Sequence, residues 1–508
     1  MRGSRYIIFS FLLLFGCGLN AQNKVQLSAD RLDYDEEFLP GVDRFIGNVV
    51  FTHGETVGYC DSAYFYQDRN YVEGFGKRIR IDINDSVTLF GKFFIYDGDN
   101  KVTTISHEVV LQDKTSSLFT DSLTYLTDKD QAYYLTGGKM VNADNVLTSV
   151  IGNYYTNINK IVLEQEVKLV NKSYTMDCDS LAYNTQTEIV QFISRTHLVS
   201  DENTIYTNSG WYDTKSDVAQ LVDSVELYNK TQTLNGDSVY YDKKIRFGIG
   251  KSNITITDKE KGYVLKGNYV EHYEEGGWST STDSSVLILI DDNEDSLYVH
   301  GDTLRLLIDS LQDPQLLLAY NKVKFFREDL QGACDSLSFH IPDSLLLMYY
   351  DPVIWSGENQ LTADTITFTI VDSAHIVVHL LKSAFIAASI FDETDFNQIK
   401  GINILGYIVN QELKRVDVIS NAECLYFLQE EDSSLVGINS SETSEMRIEL
   451  EHNEIKHITF YNSPDGEINP DTGVLPEDRK LKDFRWLRLY RPVSETDIFH
   501  TPIPRIWE

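Results

Sequence analysis

The sequence predicts an all-β protein built as a stack of short repeated units. Three observations carry this. A six-residue phrase recurs along the chain, short runs alternate apolar and polar residues throughout, and helical patterns are nearly absent. The phrase is a small residue, an acid, Ser or Thr, an aliphatic residue, any residue and an aromatic. It reads Cys60-Asp61-Ser62-Ala63-Tyr64-Phe65, Thr120-Asp121-Ser122-Leu123-Thr124-Tyr125, Cys178-Asp179-Ser180-Leu181-Ala182-Tyr183 and Gly236-Asp237-Ser238-Val239-Tyr240-Tyr241. Further copies are Ala29 to Tyr34, the truncated Gly301-Asp302-Thr303-Leu304, Cys334 to Phe339 and Ala363 to Phe368. Weaker copies at Gly91-Lys92, Gly152-Asn153, Thr207-Asn208 and Gly267-Asn268 bring the spacing to ~30 residues, the length of one supersecondary unit that buries its apolar face only by stacking on its neighbours.

From the N-terminus, residues 1–21 read as a secretory signal. Arg2 and Arg5 precede the apolar run Tyr6 to Phe15, which is too short to span a bilayer. Leu19-Asn20-Ala21 offers a cleavage site. Cys17, after Leu14-Phe15-Gly16, is the competing position, where a lipid anchor would attach, and the bulky Phe15 counts against it. The expectation is an exported protein in the periplasm, in association with the outer membrane. The formal charge of −33 excludes the basic surface that nucleic acid requires. Cys60, Cys178 and Cys334 occupy the slot filled elsewhere by Ala or Gly. They are expected, with Cys424, to be free thiols acting as small buried hydrophobes.

Each unit is expected to hold two strands. One is a "V-x-L" strand, as in Val167-Lys168-Leu169, Val225-Glu226-Leu227, Ile254-Thr255-Ile256 and Val323-Lys324-Phe325. The other bears the acid phrase. Apolar residues lie at −3 and −1 before the acid and at +2 and +4 after it, so their parity changes. A bulge or bend at the acid restores a common inward face, with the carboxylate bonding local backbone N–H groups. Glu274 to Thr282, rich in turn residues, is a candidate boundary. It gives stacks over 22–277 and 278–462. Two later hairpins, Tyr407 to Val418 and Ile448 to Phe460, close the second stack. Residues 463–508 read as an extended tail, packed on the stack or trailing from it, and from Asn469 onward they hold half the prolines of the chain.

The opening of the exported chain, Ala29-Asp30-Arg31-Leu32-Asp33-Tyr34-Asp35 followed by Gly47-Asn48-Val49-Val50-Phe51-Thr52-His53-Gly54, resembles the OstA-like (organic solvent tolerance) domain of the lipopolysaccharide transport proteins of Gram-negative bacteria. Gln398 to Phe427 and the Ile448 to Phe460 hairpin resemble the closing portion of larger members. The resemblance implies an elongated, solenoid-like β-jellyroll of stacked V-shaped antiparallel strands around an apolar groove that holds lipopolysaccharide acyl chains. It also implies edge strands that join other transport proteins or a second copy head to tail. The chain is much longer than the minimal periplasmic bridge protein and lacks the barrel region of the outer-membrane translocon. The expected function is therefore non-enzymatic carriage or bridging of lipopolysaccharide toward the outer membrane, without a cofactor. The alternatives are a structural scaffold with a dry core and a polysaccharide-active parallel β-helix enzyme. Residues of inward parity are the candidate groove: Tyr34, Val49, Phe51, Phe65, Tyr125, Tyr183, Val225, Leu227, Tyr241, Phe339 and Phe368. For each, ordinary core packing is the simpler role.

Other motifs are set aside. His375 and His379 flank Ile376-Val377-Val378, a strand pattern that separates the rings by ~13 Å. Asp291 to Asp295 lacks the glycine of a calcium loop, and Gly250-Lys251-Ser252 lacks the first glycine of a phosphate loop.

Overall fold

The computed structural model describes residues 24–500, apart from 35–36, 38–39, 84–85, 291–295, 312, 373, 391–392, 411, 430–433, 452–453 and 471–473. The signal, Cys17 and the Asp291 to Asp295 run lie outside the described residues. Those residues form strands joined by tight turns and short 3₁₀ segments, with no α-helix among them. Among the described residues no helix is long and apolar enough to cross a membrane. The chain divides into two compact units at Glu188/Ile189. Glu274 to Thr282, the candidate boundary, includes a hairpin turn between strands Tyr263–Tyr273 and Trp278–Thr282, which pair with each other. The turn residues there reverse the chain within the ladder. The ladder also runs past residue 462, because Asp465–Asn469 pairs with the exposed backbone of Leu435–Glu451.

The acid phrase lies on strands of a common length. Thr56–Tyr66, Ser116–Leu126, Tyr174–Asn184, Gln232–Asp242 and Leu330–His340 are each 11 residues long. Every one pairs with its neighbours antiparallel. A uniform parallel coil is thereby ruled out for these units. The expected irregularity falls opposite the acid. Ser106 pairs with Ser122 and Val109 with Thr120, so His107 and Glu108 together face Asp121. Both have left-handed backbones, with φ of 69° and 55°. Gln165–Glu166 face Asp179, Asp223–Ser224 face Asp237 and Asn321–Lys322 face Asp335 in the same way. Two consecutive left-handed residues turn a strand sharply, so each long strand folds into two arms of a V. The weak copies turn too: Ser252–Asn253 lie opposite Asn268. Carboxylates and amides of the phrase brace the corners. Asp61 accepts the Lys77 N–H at 2.9 Å, and Asn268 accepts the Asn253 N–H at 3.2 Å.

Each arm carries a cross-strand row of inward side chains. In the first unit, arm I reads Phe51, Gly58, Ile81, Leu89, Leu111, Leu118, Met140, Leu147 and Leu169. Arm II reads Phe65, Val72, Tyr96, Thr103, Tyr125, Ala132, Tyr154, Ile161 and Tyr183. Gly58 and Gly74 seat two stacked rings, Phe51 and Phe94, whose centroids are 5.1 Å apart. A Cβ at either glycine would meet a ring carbon at 1.8 Å. Gly74→Ala is accordingly expected to lower stability by about 1–3 kcal/mol through overpacking, read as the shift of the urea midpoint.

Cys60, Cys178 and Cys334, as their slot predicts, and Cys424 form no disulfide among the described residues. Burial pushes the Cys60 and Cys424 thiols up to about 12 and raises that of Cys334 further. Their thiolates are thus negligible at pH 8. Ellman's reagent is expected to leave these three untouched in the native protein and to modify all of them in denaturant.

Candidate functional site

The two units use the same inward positions differently. In the first unit the space between the arms is filled. Phe51, Tyr125 and Tyr183 are 0 % exposed, and Val49 is buried beside the corner. The mouth of the V is closed by hydrogen bonds that cross from arm to arm. Tyr96 Oη lies 2.7 Å from His53 Nδ1, and the Tyr154 hydroxyl donates to the Asp113 carboxylate. Tyr183 Oη donates to Asn142 Oδ1 at 2.7 Å and accepts from Asn145 Nδ2 at 3.1 Å. Asn142 Nδ2 donates to the Thr185 carbonyl at 3.2 Å, as well as to Thr115 O and Ser116 Oγ on its own arm. Burial pushes the Tyr96 and Tyr183 phenols up to about 12, and burial followed by the Asp113 bond raises that of Tyr154 still further. All three phenols therefore stay neutral at any physiological pH, and those of Tyr154 and Tyr183 remain donors.

In the second unit, the first stretch is open. Its floor at the corner is buried: Leu221, Val225, Val239, Ile254 and Val270. Above that floor, arm I presents a continuous aliphatic row, Ile205, Leu227, Leu234, Ile256 and Leu265, all directly paired across strands. Each is only part-buried, where the equivalent Leu147 and Leu169 of the first unit are fully buried. Opposite, arm II runs through Tyr212, Ala219, Tyr241, Gly248 and His272. Tyr241 is 37 % exposed. Ala219 and Gly248, set between the larger Tyr212, Tyr241 and His272, leave room on arm II, and with the part-exposed arm I row they outline an apolar trough. Its arm I row spans four inter-strand steps of ~4.8 Å, comparable in length to a fatty acyl chain. Further on the groove closes. Phe339 and Phe368 continue the arm II row through Leu306, Leu317 and Leu346, part-buried against a core that contains Leu317, Met348 and Ile404.

The structure thus separates the eleven candidates. Val49, Phe51, Tyr125 and Tyr183 sit in the closed interior of the first unit. Phe65 lies part-buried at the start of its arm II row, and Tyr34, 55 % exposed, lies at the free end of that row. Val225, Leu227 and Tyr241 border the open trough. Leu234, Ile256 and Leu265, the cross-strand continuation of the Leu227 row, are not among the eleven. They belong to "L-x-G" and "V-x-L"-like strands of the same pattern as Leu89-Phe90-Gly91 and Val167-Lys168-Leu169 of the closed unit. His375 and His379 lie on strand His375–Ile390, as their flanking residues predict, and Gly250 to Ser252 lies inside strand Phe247–Asp258.

These features define a class: an all-β ladder folded into stacked V-shaped rungs with an apolar interior. The family model described as "OstA-like protein" matches residues 22–179 and 175–275, half the chain, and the chain belongs to that family. Among solved structures, it is similar to the crystal structure of LptH, the LptA-homologous periplasmic component of the lipopolysaccharide transport device of Pseudomonas aeruginosa. The identity is 18% over 33% of this chain and 81% of that one, with a TM-score of 0.12. No curated protein sequence matches the chain.

Proposed function

We propose that this chain is a periplasmic, non-enzymatic lipopolysaccharide carrier in which acyl chains lie in the trough of the second unit, between the Ile205–Leu265 row and Tyr241. The observation that supports this most is the trough itself: aliphatic side chains in an unbroken cross-strand row, left part-exposed at positions that are sealed elsewhere in the same chain. Acyl burial stabilises by about 0.8 kcal/mol per CH₂, so a trough of this length competes with a membrane for a chain. The direction of carriage is toward the outer membrane, and the partners are other lipopolysaccharide transport proteins, or a second copy, joined through edge strands. Gln26–Ser28 and Arg31–Tyr34 at one end, and Glu454–Tyr461 and Asp465–Asn469 at the other, each pair on one side with a single long strand, which suits strand addition. A scaffold role without lipid is favoured by one observation, the latched interior of the first unit, and we assign it to that unit alone.

Photocrosslinking in cells tests the reading. A crosslinker at Leu234, Tyr241 or Leu265 is expected to capture lipopolysaccharide. At Phe51, Tyr125 and Tyr183, and at the outward Lys168 and Glu226, it is expected not to. Folded, exported protein with no lipid adduct at any trough position would sink the carrier reading.

A further inference from the structure

The C-terminal segment does not trail from the stack. It runs over the outer face of arm I in the second unit, on the side away from the trough. That face is apolar where an outer face is ordinarily polar: Trp355, Val353 and Ala333 are buried there with Leu487 and Tyr490 against them. Leu425, Phe427 and Ile438 are covered by Val474 and Leu481. Phe396 packs on Phe484 and Trp486 at ring distances of 4.9 and 4.8 Å.

The segment has a period of its own. Arg479, Arg485 and Arg491 recur every six residues, and Leu481 and Leu487 follow the first two at the same offset. A tight turn recurs with them, from Asp478 N–H to Leu475 O, Phe484 N–H to Leu481 O and Tyr490 N–H to Leu487 O. The receiving face has a matching period. Gln331, Gln360 and Gln398 lie on one cross-strand row, two strands apart, linked through Trp355 and Ala387. They are 3 %, 2 % and 0 % exposed. Gln398 donates to Arg479 O at 2.9 Å and accepts the Leu481 N–H at 2.8 Å. Gln360 makes the same pair of bonds one period later, to Arg485 O at 2.7 Å and from Leu487 N–H at 2.6 Å. Gln331 accepts from Arg491 Nε at 2.9 Å. Arg479 also forms a two-pronged ion pair with Asp395, both bonds 2.8 Å. Two strands span ~9.6 Å, far less than six extended residues, and the recurring turn shortens each period to fit.

We propose that the outer face of arm I in the second unit is a peptide-docking site that reads a cationic Arg-x-Leu code of six-residue period, and that residues 474–500 are its resident occupant. Each buried glutamine grips the main chain of one Arg-x-Leu tripeptide, donating to the Arg carbonyl and accepting the Leu N–H, and because the turn and the leucine return only every six residues, a shift by any other number takes them from their places beside it. Tethering in cis supplies a high effective concentration, so any other segment reaching this face must displace the resident one.

Trypsin reads docking directly, since the segment carries Arg479, Lys480, Lys482, Arg485 and Arg488. In the full-length protein, Gln360→Ala with Gln398→Ala is expected to speed cleavage within the segment about tenfold, the scale of losing such paired bonds. Deleting the whole period 482–487 is expected to retain protection, and deleting 482–484 to lose it. A fluorescent peptide of residues 474–500 is expected to bind the full-length Leu481→Asp, Leu487→Asp variant, whose own segment is released. It is expected not to bind when Gln360→Ala and Gln398→Ala are added. Far-UV circular dichroism and the thermal midpoint of the sheet identify any variant that fails to fold, and peptide binding is then read on the remaining folded ones. Equal cleavage in all folded variants, protection indifferent to phase, or peptide binding indifferent to the glutamines would overturn the proposal.

Discussion

Asn142→Leu is expected to destabilise the first unit by about 3–5 kcal/mol, measured as the fall in unfolding free energy by urea titration followed through tyrosine fluorescence. Asn142 is buried, and its amide satisfies four groups: the Thr115 and Thr185 carbonyls, the Ser116 hydroxyl and the Tyr183 hydroxyl. Leucine has a similar volume but no polar atom. The Tyr183 hydroxyl would keep its bond from Asn145 and lose its acceptor. The Thr185 carbonyl would lose a bond that crosses the mouth. Each buried polar group left without a partner costs about 1–3 kcal/mol, and the groups lie close enough for their losses to couple. Asn142→Asp should do less harm at the acceptor side and more at the donor side, since a carboxylate accepts from Tyr183 but cannot donate to Thr185. A variant as stable as the parent would mean that the latch contributes nothing net to closure.

Leu234→Asp with Ile256→Asp is expected to abolish lipopolysaccharide adducts at Tyr241 while leaving the protein folded. Both side chains are part-exposed above a corner floor of Val225, Val239 and Ile254, so the carboxylates can reach water in the empty trough. With an acyl chain present they cannot. An unpaired charge held against hydrocarbon costs several kcal/mol, and each 1.4 kcal/mol is about tenfold in occupancy. Two such charges in adjacent positions of one row, Leu234 and Ile256 being direct cross-strand partners, should remove detectable binding. The same substitutions at Leu111 and Leu118 of the first unit, fully buried and likewise direct partners, are expected to prevent folding instead. Undiminished adducts at Tyr241 in the double variant would place the lipid elsewhere.

The contrast between the units also shows where sequence reasoning ends. Strand content, the antiparallel zigzag and the corner at each acid are legible because they are local. A parity change within six residues requires a bend, and the strand opposite bulges directly across from Asp121, Asp179, Asp237 and Asp335. The free thiols are legible for the same reason, since Cys60 and Cys334 stand where other copies have Ala or Gly. Inward parity is equally local: Phe51 and Tyr125, which it singles out, are fully buried, and Leu227 and Tyr241 occupy the matching rows of the second unit.

Whether that face is sealed or open is not a local property. Tyr183 closes the first unit only because Asn142 and Asn145, some forty residues earlier, arrive at the tip of the facing arm. Tyr241 occupies the same slot of the same phrase, yet it is 37 % exposed and its cross-strand neighbours, Ala219 and Gly248, carry no polar side chain. The six-residue period of the tail, likewise, is plain in Arg479, Arg485 and Arg491 yet carries no meaning alone. It acquires one only against Gln331, Gln360 and Gln398, which the fold sets two strands apart. The sequence by itself determined the rungs of this protein, because strand, corner and inward face follow from side chains within a few residues. The tertiary structure alone decided which interior stays open and which outer face is covered, because both depend on polar groups distant in sequence meeting at hydrogen-bond distance.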